Sequence, residues 1–169
     1  PGGALRPMKA DAAHRELTCL SWHGAHRFDG QEAAVSACLS CHDDQHSLAY
    51  RESPHFALWE KEISGEGAAG TGVSCASCHM PRVDFDVNDW MSRILVDHNQ
   101  NATLTPNEKM IRPACGHCHG LGFTLDSLAD QQLIDNNFRG QPAVHVQSME
   151  FAEEDMKRAE QERLHAQEQ

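Results

Sequence analysis

The sequence predicts a mainly α-helical chain with long loops, folded around bound groups rather than around its own aliphatic and aromatic side chains. Three observations predict it. The 169 residues hold only six Phe, three Trp and one Tyr, with a mean hydropathy of −0.57. That is thin material for a core that must offset chain entropy. Twelve His and seven Cys are high counts, and they point to metal chemistry rather than to disulfides alone. No run of alternating apolar and polar residues stands out as a strand.

At this length one domain over 1–169 is expected. Residues 1–13 (PGGALRPMKADAA) read as an extended lead-in. Residues 31–39 (QEAAVSACL) read as a short helix running into a cysteine motif. Residues 54–63 (PHFALWEKEI) read as a second helix, with Pro54 in the first turn, where its missing N–H costs nothing. The glycine-rich GEGAAGTG at 65–72 is a loop; it lacks the Lys and Ser/Thr ending of a phosphate-binding loop. Residues 84–112 contain the polar loop DHNQNATLTPNE, and Thr105-Pro106-Asn107-Glu108 can open a short helix. The segment 147–169 is the clearest amphipathic helix. Met149, Ala152, Met156 and Ala159 share one face, and Glu, Gln, Lys and Arg fill the others. It either docks on its own domain or contacts another subunit.

The formal net charge of −11 argues against nucleic acid and against an anionic membrane surface, both of which require clustered Lys and Arg. No apolar run is long enough for a transmembrane segment. The chain begins at Pro1 without an initiator Met or signal-peptide core, as expected of a processed form.

Three segments carry the chemistry: Cys38-Leu-Ser-Cys41-His42, Cys75-Ala-Ser-Cys78-His79 and Cys115-Gly-His-Cys118-His119. Each is Cys-x-x-Cys-His, the attachment motif of c-type haem. Two thiols must reach the two vinyl groups of one porphyrin, and the next residue must swing under the ring to give its imidazole to iron. One tight helical turn does both. Cys-x-x-Cys pairs also make zinc sites, but zinc does not require a His directly after the second Cys. Three repetitions of that His favour haem. Porphyrins also explain the thin core, because each is a large apolar plate around which the chain can fold.

The sixth iron ligand decides the use of each haem. A second His gives a low-spin centre for electron transfer, whereas an open side admits a substrate. His42, His79 and His119 take the proximal positions. His117 lies inside its own motif as a spacer, and His165 sits in the charged terminal segment. The candidates that remain are His14, His23, His26, His46, His55, His98 and His145. One more near-motif exists. Thr18-Cys19-Leu-Ser-Trp22-His23 matches CLSCH except for Trp22 in place of the second cysteine. If His23 is a fourth proximal ligand, the surplus of histidines shrinks, so the count favours four haem c groups over three. Cys19 would then hold the first haem by one thioether. The rival is a degenerate site with Cys19 as a free thiol.

The layout resembles multihaem cytochromes c. The pieces are His14, Cys19, His23 and His26, then Cys38 to His46, then Ser53-Pro54-His55, then Val73 to Pro81, and the final motif followed by GLGFTLDSLAD. It is most similar to the group that includes hydroxylamine oxidoreductase, the octahaem reductases and small tetrahaem electron carriers. The resemblance covers about residues 14–160. It implies distal ligands from His46, His55, His98 and His145 first, then from His14 and His26. It also implies haem attachment outside the cytoplasm, hence a periplasmic or extracellular protein. Trp22 departs from the pattern. There is no Cys-x-x-Cys-Lys motif of a catalytic nitrite-reducing haem and no obvious tyrosine cross-linker, since Tyr50 is the only Tyr.

The leading expectation is an electron carrier with redox partner proteins. Two alternatives stay open. The chain can be a subunit of a filament built from copies of itself, with a heterologous interface that does not close. Or one haem without a distal ligand can reduce a small nitrogen or sulfur compound.

Overall fold

A serine and a proline decide where the longest described helix begins. The buried Ser53 accepts the Phe56 N–H at 3.1 Å through its Oγ, and Pro54 occupies the first turn. This is the side-chain cap that satisfies an otherwise orphaned N–H. Helix α3 (Pro54–Ser64) ends at Gly65, whose φ of +80° is the left-handed stop that glycine takes without strain. Its predicted extent, 54–63, agrees. This computed structural model describes residues 8–12, 18–24, 26, 29–30, 32–99 and 106–147, with isolated residues at 150, 154, 157–158 and 161.

Before α3, a π-helical turn (Glu32–Ser36) runs directly into α1 (Ala37–Cys41), in line with the helix expected over 31–39. Helix α2 (Gln45–Ala49) is capped by Asp44, and the short 3-10 turn Tyr50–Glu52 follows. After α3, the loop 65–72 folds back because the Glu62 carboxylate accepts the N–H groups of Gly70 (2.8 Å) and Gly72. The buried Tyr50 then donates its hydroxyl to the Val73 carbonyl at 2.8 Å, which fixes the approach to α4 (Cys75–His79).

The expectation of no strand is corrected next. Arg82–Asn88 (β1) and Met91–Val96 (β2) form a two-stranded antiparallel hairpin, with Arg82 opposite Val96 and an irregularity between Asp86 and Asn88. Val83, Phe85 and Val87 do alternate with Asp84, Asp86 and Asn88. The acidic and amide residues, poor strand formers, obscured that period. The base of the hairpin is closed by the Asp97 N–H on the Pro81 carbonyl at 2.9 Å. The expected short helix after Thr105 is a 3-10 turn, Asn107–Met110, with Pro106 at its start.

Two helices complete the described fold: α5 (Leu121–Ala129) and α6 (Gln131–Asp135), the latter capped by Asp130 on the Leu133 N–H at 3.0 Å. Thr124, Leu128, Leu133 and Ile134 are buried here, and α6 packs on α2. The fold is mainly α with one hairpin. In the terminal segment the described residues Glu150, Glu154, Lys157, Arg158 and Gln161 are helical. Its expected apolar face, Met149, Ala152, Met156 and Ala159, lies outside the described residues. The lead-in is described only over 8–12, where Met8 bridges His42 and the Lys9 N–H meets the Cys41 carbonyl at 2.8 Å.

Candidate metal centres

Each cysteine motif closes in the same way. The backbone N–H of the histidine returns to the carbonyl of the first cysteine: His42 to Cys38, His119 to Cys115 and His23 to Cys19, all at 2.9 Å. The remaining intact motif, Cys75–His79, is itself a helical turn, α4. The Trp22 segment therefore has the backbone of an intact motif. Trp22 (φ −117°, ψ −27°) even matches Cys118 (φ −126°, ψ −25°), the second cysteine of its own motif. The local sequence explains this. Ser21 accepts the Thr18 N–H at 3.1 Å, as Ser77 accepts the Ser74 N–H at 3.1 Å ahead of α4. A hydroxyl three residues on starts both turns.

None of the seven cysteines is in a disulfide. The Cys38 and Cys75 thiols, of different motifs, lie near enough to shift each other's ionisation. That contact holds the Cys38 thiol below its ordinary range; it raises Cys75, with burial adding to the rise. Burial pushes Cys78 up to about 12, with a further contribution from the charge of Cys115. Successive motifs thus bring their cysteines together.

Six histidines lie in three close pairs, with interplanar angles of 55°, 73° and 66°. Ring centroids lie 6.4 Å apart for His23 and His98, 6.1 Å for His46 and His79, and 6.2 Å for His55 and His119. Each pair joins a motif histidine to a candidate distal one. An imidazole nitrogen sits about 2 Å from a bound metal, so two imidazoles across one iron place their centroids about 6 Å apart. Among the described residues no three His, Cys, Asp or Glu side chains converge on a common point. A protein-only zinc site needs such convergence. A porphyrin supplies four ligands itself and asks the chain for only two.

Ring orientation follows from what each Nδ1 meets. His46 Nδ1 lies 2.5 Å from the Ile134 carbonyl, His98 Nδ1 3.0 Å from the Val96 carbonyl, and His145 Nδ1 2.7 Å from Asp126 Oδ2. An oxygen acceptor requires Nδ1 to carry the proton, so in the neutral ring Nε2 keeps the lone pair that binds metal. On His46 the Asn137 amide donates to that Nε2 at 3.3 Å. The His55 imidazole is held below its ordinary range by burial first, then by His119 and His46, so it stays neutral. Asp126 stays ionised: burial opposes this, but the Val146 N–H and His145 outweigh it.

The surroundings suit an apolar plate. Leu20, Leu48, Leu58, Val96, Leu121 and Val144 are exposed large apolar residues, and each lies within three positions of a candidate ligand. Phe123 stacks on His119 at 4.9 Å, and Phe138 stands edge-on to His46 at 6.1 Å. The Nδ1 of His42 is buried without a hydrogen-bond partner. These donors and walls fit haem.

Residues 12–88 match the family model of cytochrome c3. The match supports a multihaem c-type cytochrome. It takes in the Trp22 site and the first two intact motifs, less than half of the chain, and Cys115–His119 lies beyond it. It supports electron transfer through covalently bound c-type haem. No curated protein and no solved structure gave a match. No helix of the described residues is long and apolar enough to cross a membrane.

Of the expected ligands, the structure brings His23, His46, His55, His79, His98 and His119 into facing pairs. His42 takes part in none of these three pairs, and His145 meets Asp126. His26 is exposed with φ +59°, and His14 lies outside the described residues. His117 is exposed. Sequence reading missed Asp126, Asn137, Phe123 and Phe138. Asn137 and Phe138 both adopt left-handed backbone (φ +57° and +59°), which sequence does not announce for a phenylalanine. That turn sets Phe138 between His46 and His55.

Proposed function

We propose that the chain carries four haem c groups and passes electrons along them. The three facing histidine pairs carry this reading. His23 with His98, His79 with His46, and His119 with His55 are assigned as the axial pairs of three haems. His42 is the proximal ligand of the remaining one, with His14, His26 and His145 as its candidate partners. Cys38 and Cys41, Cys75 and Cys78, and Cys115 and Cys118 form the thioethers, and Cys19 forms the single one at the Trp22 site. Haem c supplies a one-electron iron couple. The chain's part is to saturate the axial positions, which favours transfer over substrate binding. It also draws successive attachment points together, as the Cys38–Cys75 thiol contact supports. Redox partner proteins outside the cytoplasm are the expected donor and acceptor. The quoted motif spacing supports a place among the carriers of the hydroxylamine oxidoreductase and octahaem reductase group.

The test is a set of single variants, His98→Ala, His46→Ala and His55→Ala, in the haem-loaded protein. Each is expected to turn one low-spin haem high-spin in electron paramagnetic resonance, at unchanged haem content. Wholly low-spin spectra in all three would refute the pairing. The exposed His145 imidazole favours a second reading, a filament of copies of this chain. Sedimentation that shows only monomers at high concentration would exclude it.

A further inference from the structure

Three distal candidates lock their Nδ1 protons on oxygen, but the oxygens differ. His46 and His98 donate to neutral backbone carbonyls, of Ile134 and Val96. His145 donates to a carboxylate, Asp126 Oδ2, at 2.7 Å. Asp126 is buried on α5, and its other oxygen accepts the Val146 N–H at 2.8 Å, so the carboxylate is held from two sides of the same loop. We propose that Asp126 is a positioning residue for His145: it presents Nε2 to a haem iron and makes that haem harder to reduce. The inference rests on the reading of His145 as an axial ligand.

The physical chain is short. A charged acceptor draws the Nδ1 proton more strongly than a carbonyl does. The imidazole becomes a stronger donor through Nε2, and a stronger donor favours ferric over ferrous iron. The buried negative charge acts in the same direction through space. The iron belongs either to a haem of the same chain, with His42 as its proximal ligand, or to a second copy.

The experiment is a spectroelectrochemical titration of the haem-loaded protein, with the haem count fixed first by pyridine haemochrome. Asp126→Asn keeps the shape and removes the charge; with its oxygen on the Val146 N–H its NH2 faces Nδ1 of His145, so the acceptor is lost with the charge. The variant is expected to raise one potential alone, by roughly tenfold in the reduction equilibrium, about 59 mV for one electron. Asp130→Asn is the control. Asp130 holds the same loop through the Ala143 N–H at 2.8 Å and caps α6, and no described hydrogen bond joins it to a histidine. It should leave every potential in place. His145→Ala should convert one haem to high spin, in the monomer fraction if the iron is in the same chain and only in associated protein if it is in a second copy. Equal shifts for Asp126→Asn and Asp130→Asn, or a wholly low-spin His145→Ala protein, at an unchanged haem count, would overturn the role of Asp126. A haem count below four would overturn the proposed function instead.

Discussion

Ser53 sets the start of the helix that carries His55, so Ser53→Ala tests how firmly that ligand is held. Two hydrogen bonds vanish in this variant. The Phe56 N–H loses its 3.1 Å acceptor, and the Tyr50 carbonyl loses the Ser53 hydroxyl at 2.7 Å. Loss of a serine cap costs about 1 kcal/mol. The carbonyl loss adds less than about 1 kcal/mol, because the Ser53 N–H still donates to it at 3.0 Å. The sum is about 1–2 kcal/mol. For a chain of this size each kcal/mol moves Tm by about 2–4 °C, so a fall of about 2–8 °C is expected. The assay is thermal melting of the haem-loaded protein followed by circular dichroism. Ser64→Ala is the matched control, since its exposed hydroxyl meets only the Lys61 carbonyl at 3.1 Å and the cost should stay within about 0.5 kcal/mol. Equal melting of the two variants would refute the cap.

Three further outcomes follow. Trp22→Cys should add no haem, because the site already has one; it should move the pyridine-haemochrome band toward the two-thioether position, and an added haem mass would contradict this. Glu62 is held below the ordinary carboxylate value of 4.5 by the Gly70 and Gly72 N–H groups. A depressed carboxyl stabilises fully above 4.5 and loses that contribution as pH falls through its lower folded value. Acid unfolding of Glu62→Gln should therefore lack a small part of the wild-type pH dependence, less than about 1 kcal/mol for so exposed a group, and identical pH profiles would refute it. Prolonged EDTA treatment should leave the fold and absorption unchanged, whereas loss of structure would point to zinc.

The chemistry was legible because it is local. A Cys-x-x-Cys-His turn carries its thiols and its imidazole within five residues, and helix α3 announces itself by Pro54. The hairpin was readable in Val83, Phe85 and Val87, but Asp84 and Asp86 hid it. The ligand pairs were not readable. His23 and His98 are far apart in sequence, and the hairpin ending at Val96 brings the second to the first. Likewise, Ile134 on α6 orients His46 on α2 only through tertiary packing. The role of Asp126 needed the loop to return at His145. Helical periodicity sets which residues share a face of one element, but not which loop comes back to it.

The most direct test of the central claim is the intact mass of the haem-loaded chain under denaturing conditions. Covalent haem stays attached, so each site adds one haem mass. The Trp22 segment has the backbone closure of an intact motif, and His98 faces His23. Four haem masses per chain are therefore predicted, with the fourth on Cys19. Three haem masses, with Cys19 open to alkylation, would contradict it.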